Sequence, residues 1–269
     1  MTLPPPPVPP GPEFDTARAD IGIVVALHME IAPFLDRCEQ VHKYTGGPFV
    51  FRGGKLGQLR IAVVETGPGA SLAARGTRAL LDAHRPDWVI SVGFSGSIVP
   101  TVVLGDLVVA TSIRSHDARE LKFDVRFEAD PDTGLHAGPL FCADHILRTV
   151  TEKKLAATKT GCLAVDLESF AVADTCRAAG QKFLAIRGIS DDLTADLPAE
   201  ALAIFAAQGF KRWGVVAGSL FRKPSSVQNL WELRGQAMRA ADAMAAFLPQ
   251  VIPSLPLSSD SSEVGQPRP

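Results

Sequence analysis

The run IGIVVAL at residues 21–27 is the feature that most constrains this chain. An unbroken apolar stretch of that length fits a strand buried on both faces of a sheet. A short helical pattern at 29–37 follows it at once, and the alternation then repeats. Further buried strands are predicted at 88–92, 106–112 and 182–186. Helices are predicted at 71–84, with Ser71 as N-cap, at 149–157, and at 167–179, where Gly180 closes the last turn. Segments 49–52 and 59–65 flank Gly53 and Gly54, which predicts a hairpin. Two more helices are expected around 199–221 and 225–248, with Pro224 opening the second. Strands alternating with helices define an α/β fold. The early hairpin makes the sheet mixed, so the expected architecture is a single three-layer αβα domain around a central mixed β-sheet.

Composition sets the limits of that domain. Of the 21 prolines in 269 residues, seven lie in residues 1–12 and four in 253–269. The expected organisation is a disordered proline-rich arm at 1–20, a folded domain at 21–251 and a disordered tail at 252–269. The proline-rich start is unlike the apolar segment of a signal peptide. Lys+Arg is 27 against 29 Asp+Glu, a formal charge of −2, with no basic stripe. That balance argues against a partner held through its phosphates, so no nucleic acid is expected. The most apolar long window, 201–221, is interrupted by Gln208, Lys211 and Arg212, so no membrane span is expected. Cys38, Cys142, Cys162 and Cys176 form no CxxC pair and read as reduced core thiols of a cytoplasmic protein. No cluster of metal-ligating residues stands out, and neither metal nor cofactor is expected.

Several loops carry residues suited to chemistry. Gly67-Pro68-Gly69 follows a strand and opens a helix, a turn that lets a ligand approach the backbone. The sixth position of a dinucleotide fingerprint would be Leu72, too large for close helix–strand contact. Gly93-Phe94-Ser95-Gly96-Ser97 also follows a buried strand. A nucleophile elbow at Ser95 would need a helix next, and Pro100 comes instead. Taken singly, Glu30 at the start of the first helix, Glu168 at the start of another, and Arg187 and Asp191 four apart in IRGISD would each pass as solvated charges. In open α/β sheets, however, ligands bind beyond the carboxyl ends of strands. Glu30, Gly67–Gly69, Gly93–Ser97 and Arg187–Asp191 all occupy such ends, which predicts one shared pocket.

In order along residues 21–217, the pieces IGIVVALHMEI, ETGPG, RPDWVISVGFSGSIVPTVVLGDLVVAT, AVDLESFAVADTC and FLAIRGISD resemble the nucleoside phosphorylase/nucleosidase superfamily. The nearest likeness is to its 5′-methylthioadenosine/S-adenosylhomocysteine nucleosidases. The resemblance implies a nucleoside phosphorylase-like fold, a small nucleoside as partner, no cofactor, and a homodimer. It also implies roles by position. Glu30 stands where the family has the glutamate that activates the attacking water. Asp191 stands where the family's aspartate is the general acid toward purine N7, and Arg187 is the nearby arginine. Glu168 matches the glutamate that holds the ribose hydroxyls, with Leu167 in place of the usual methionine.

Two positions bear on water against phosphate. Phosphorolytic relatives place an arginine and a serine where this chain has Ser91 and Phe94, and neither residue grips a dianion. Glu30 would also repel phosphate. Both points favour hydrolysis of an adenine nucleoside modified at its 5′ position. The segment CADHIL keeps Asp144, but the family's base-stacking phenylalanine falls on Ile146 or Leu147. The chain also resembles hopanoid-associated phosphorylases, whose substrate bears a bulky apolar 5′ group. Phosphorolysis is therefore the first alternative, and a nucleoside-binding protein with weak activity the second.

Overall fold

The computed structural model describes residues 18–124, 127–197 and 224–257. Strand β1 (Ile21–Val25) runs through the middle of the molecule, buried at all five residues. It pairs in parallel with β4 (Leu59–Glu65) on one side and with β5 (Trp88–Ser97) on the other. Beyond β4 lie β3 (Phe49–Leu56) and then the edge strand β2 (Glu39–Gly46), both antiparallel. Beyond β5 the sheet divides. β10 (Lys182–Asp191) pairs in parallel along β5 and, antiparallel, with β6 (Leu107–Ser115). The far end of β5 pairs with β9 (Ala164–Asp166), which pairs with β8 (Leu135–Cys142), and β8 pairs with β6. The pairings β5–β10–β6–β8–β9–β5 thus close a ring, and β7 (Glu120–Lys122) hangs from β6.

Alternation along the central strands feeds two apolar layers. Ile21, Ile23, Val25, Ile61, Val63, Ile90, Val92, Leu184 and Ile186 meet helices α1 (His28–Leu35) and α5 (Pro224–Val251). The residues between them, among them Val24, Ala62, Val64, Val89, Phe183 and Ala185, meet α2 (Ala70–His84) and α4 (Ser169–Ala178). The sheet is therefore covered on both faces, as the αβα expectation required. Removing this apolar area from water, at about 25 cal/mol per Å², is the main drive for the layering. Helix α3 (Val150–Thr160) packs at the closed ring, where Ala156 joins Ile98, Ala143, Leu147, Cys162 and Val165 in a third, smaller cluster.

Some local expectations shift. The hairpin turn falls at Gly57 and Gln58, since β3 runs on through Gly53 and Gly54. Gly53 is used for space: a Cβ there would strike the His42 ring of β2. β2 itself was not foreseen, because an exposed edge strand shows no apolar run. Ser71 is not the N-cap of α2. The helix begins at Ala70 behind Gly69, whose φ of +103° no side-chain cap supports. Gly67 is also left-handed at +79°, so the turn depends on both glycines. The packed body also reaches past 21–251. Ala19 is buried, Arg18 pairs with Asp87, Ile252 is buried, and the Pro256 carbonyl accepts from Trp88 Nε1 at 3.0 Å. The helix expected at 199–221, residues 1–17 and residues 258–269 lie outside the described residues. All four cysteines are free, three of them buried.

Candidate active site

The strand ends do converge. Beyond β1, β5, β9 and β10 lies a cavity of about 300 Å³. Glu30, Phe94, Ser95, Ile146, Leu147, Leu167, Glu168 and Asp191 line it together with Pro68, and its floor is largely apolar. Gly67 and Gly69 do not line it; they shape the turn that brings Pro68 to its rim.

Glu30 is held by backbone alone. The helix start puts its carboxylate back over Leu27, whose N–H donates to Oε2 at 2.7 Å. The N–H of Phe94 donates to Oε1 at 3.0 Å. Burial pushes the Glu30 carboxyl above its usual range, while these two N–H groups and the Arg187 guanidinium pull the other way. Gly93 passes close beneath: a Cβ there would stand 3.0 Å from Glu30 Oε1, a tight contact.

The AVDLES segment divides its two acids. Asp166 lies at the pocket but is 6% exposed, and it accepts from Ser169 Oγ at 2.7 Å and from Arg187 Nε at 2.6 Å. Glu168, one residue before α4, is left to face the pocket and accepts from the Gly69 N–H at 2.6 Å. Burial, and then the neighbouring Asp166 charge, push the Glu168 carboxyl up to about 7.

Arg187, expected near Asp191 and the nucleophile, lies beside Glu30 but behind the main cavity. It is 2% exposed and does not line the main cavity. Its guanidinium is spent on Asp166, on the Ser91 carbonyl at 2.8 Å, on the Ile186 carbonyl at 2.9 Å and on Ser91 Oγ at 2.8 Å. Arg187 therefore anchors β10, β5 and β9 to one another and sets the field at Glu30. A second cavity of about 10 Å³, close to the size of a single water, lies between Glu30, Thr66, Ser91, Glu168 and Arg187.

At the opposite wall Asp191 rests on Gly96, where a Cβ would come within 2.8 Å of Asp191 Oδ2. Lys153 of α3 reaches the same carboxylate. The lysine was not foreseen as a site residue, since EKK reads as a solvated helix face. The available signal was its position three residues before buried Ala156. Asp144 lies at the exposed rim, paired with His145 Nδ1 at 2.6 Å, and only His145 reaches the pocket. Among the described residues no three His, Cys, Asp or Glu side chains converge on a metal position, and no helix is long and apolar enough to cross a membrane.

The site is thus a pocket of carboxylates at the strand ends of a mixed sheet that closes into a ring at one end. The sequence pattern of the phosphorylase superfamily matches residues 20–133 and 127–220, and the chain belongs to that family. A 5′-methylthioadenosine/S-adenosylhomocysteine nucleosidase of Maridesulfovibrio salexigens is 26% identical over 201 residues, 65% of this chain and 87% of the relative. Among solved structures, the Helicobacter pylori 5′-methylthioadenosine/S-adenosylhomocysteine nucleosidase superposes with a TM-score of 0.66 at 19% identity, covering 88% of this chain and 99% of that one. The H. pylori futalosine hydrolase superposes with a TM-score of 0.67 at 17% identity, covering 89% and 99%.

Proposed function

We propose that this chain is an N-ribosyl hydrolase that cleaves the N-glycosidic bond of an adenine nucleoside modified at its 5′ position and releases adenine. The observation that carries the hydrolytic reading is the charge of the pocket. The ionisable groups lining it among the described residues are Glu30, Asp166, Glu168, Asp191 and His145. No lysine or arginine among the described residues lines it to grip a phosphate dianion, and Ser91, at the phosphate-binding position of phosphorolytic relatives, is occupied by Arg187. The water-sized cavity beside Glu30 supports the same choice.

The geometry supports the following course for the reaction. Glu30 takes a proton from water as the water attacks C1′. Glu168 holds the ribose hydroxyls, its carboxylate oriented by Gly69. Positive charge grows on the ribose and is stabilised by the nearby carboxylates, while Asp191 delivers a proton to N7 of the departing base. General acid and base help of this kind contributes about 10²–10⁴-fold per group. Arg187 acts at one remove by holding Asp166 and the strand ends in place. Leu27, Phe94, Ile146, Leu147 and Leu167 offer an apolar wall suited to a 5′ thioether or a larger apolar group.

The test is adenine release from 5′-methylthioadenosine and S-adenosylhomocysteine, with and without phosphate. Release without phosphate supports the reading; strict dependence on phosphate, with ribose 1-phosphate as product, replaces it with phosphorolysis. Binding with no turnover would leave a nucleoside-binding protein. A homodimer in the cytoplasm belongs to the same proposal, from the family resemblance, and light scattering of the purified chain tests the assembly.

A further inference from the structure

Helix α3 places its side chains against the usual preference. Leu155 is 53% exposed, while Lys153, two residues earlier, is 0% exposed. Burying an ammonium is costly and burying a leucine is favourable, so stability alone would choose the reverse. The buried Nζ donates to Asp191 Oδ2 and to the Asp192 carbonyl at 2.9 Å. Asp191 Oδ1 accepts from Ser190 Oγ at 3.1 Å, and its carboxylate rests on Gly96. The acid of the proposed reaction is thus gripped from α3, β10 and β5, with one edge left toward the pocket.

We propose that Lys153 supplies, through Asp191, the proton that leaves with the base. The inference rests on the reading of Asp191 as the acid. As the C1′–N9 bond breaks, its electron pair passes into the base. An Nζ–H bond of Lys153 breaks and its proton passes to the Asp191 carboxylate; the O–H bond so formed then breaks as an N7–H bond forms. Lys153 is left as a neutral amine beside the Asp191 carboxylate and is reprotonated through solvent by the proton that Glu30 took from the attacking water, so all three groups return to their starting state. Moving the proton from Nζ to the carboxylate turns a buried ion pair into two neutral groups, which a water-poor surrounding tolerates. Lys153 touches no substrate atom and acts through Asp191.

The experiment compares two leaving groups. Adenine must be protonated to leave; 4-nitrophenolate, on the matching 5-methylthioriboside, need not be. Lys153→Met is expected to lower kcat for adenine release about 10²-fold with KM little changed, and nitrophenolate release by less than about threefold. In an Asp191→Asn background the lysine change should cost nothing further. Equal losses on the two substrates, or a full loss in that background, overturn the proposal and leave the hydrolase reading intact. No adenine release from any 5′-substituted adenosine by the unaltered chain overturns the reading itself and the proposal with it. If Lys153→Met does not fold, Lys153→Arg decides, because a guanidinium keeps the charge and does not give up its proton. A loss selective for adenine supports the relay, and full adenine release by that variant overturns it.

Discussion

The amide of Phe94 donates to Glu30 Oε1 across 64 residues of sequence, at 3.0 Å. With the Leu27 N–H on Oε2 at 2.7 Å, both oxygens of the proposed base are fixed by main chain. An amide side chain has one acceptor oxygen and cannot satisfy both donors. Glu30→Gln is therefore expected to lower kcat by about 10²–10⁴-fold. The same change should lower unfolding free energy by about 1–3 kcal/mol, since one buried N–H loses its acceptor. Steady-state kinetics and denaturant titration read the two effects; a variant of full activity removes Glu30 from the chemistry.

Two glycines hold the acid and the base by their lack of a side chain. A Cβ at Gly96 would stand 2.8 Å from Asp191 Oδ2, and one at Gly93 would stand 3.0 Å from Glu30 Oε1. A Cβ at Gly96 must shift the Asp191 carboxylate, while one at Gly93 asks Glu30 to give by a few tenths of an ångström. Misplacing a reacting group by about 1 Å costs on the order of 10²-fold, so Gly96→Ala should lower base release by less than that and Gly93→Ala by less again. Loss confined to KM would contradict the assignment.

Stability should fall as pH rises through the weakly acidic range. Burial, with Asp166 beside it, raises the Glu168 carboxyl from 4.5 to about 7. Between those values the folded chain keeps a proton that the unfolded chain has released, so the folded state is favoured below the window and loses that advantage as pH climbs to about 7. Glu30, raised mainly by burial, acts with the same sign. Melting temperature measured across this range should decline, and Glu168→Gln should flatten the slope.

Arg187 should prove a residue of architecture as much as of chemistry. Arg187→Met leaves Asp166 as an unpaired buried carboxylate, and breaking a buried pair this way costs about 3–5 kcal/mol. Replacing both partners with apolar residues should recover part of that loss. Denaturant unfolding of the single and double variants measures it.

Apolar runs and strand-ending glycines were enough to state the α/β class, the two covered faces of the sheet and the convergence of Glu30 and Asp191; Glu168 was placed with them by the family resemblance. Each rests on local pattern: buried strands such as β1 and β10 are continuous apolar segments, and their ends are visible in sequence. The polar edge strand β2 and the short β9 have no such pattern, and only pairing with neighbours makes them strands.

Three further features were decided by tertiary structure alone. Arg187 looked solvated at a strand end, and the fold buried it because Asp166 and Ser91 arrive from other strands to meet its donors. Asp166 and Glu168 are two residues apart and both line the pocket, yet one is tied to Arg187 and Ser169 and the other to the Gly69 N–H. Lys153 sits in a run of charge that reads as surface, and the packing of α3 against the ring aims it at Asp191. Sequence determines what each residue can do over a few neighbours. Whether a charge is buried, and against which partner, depends on segments far along the chain, because desolvation and pairing are properties of the assembled fold.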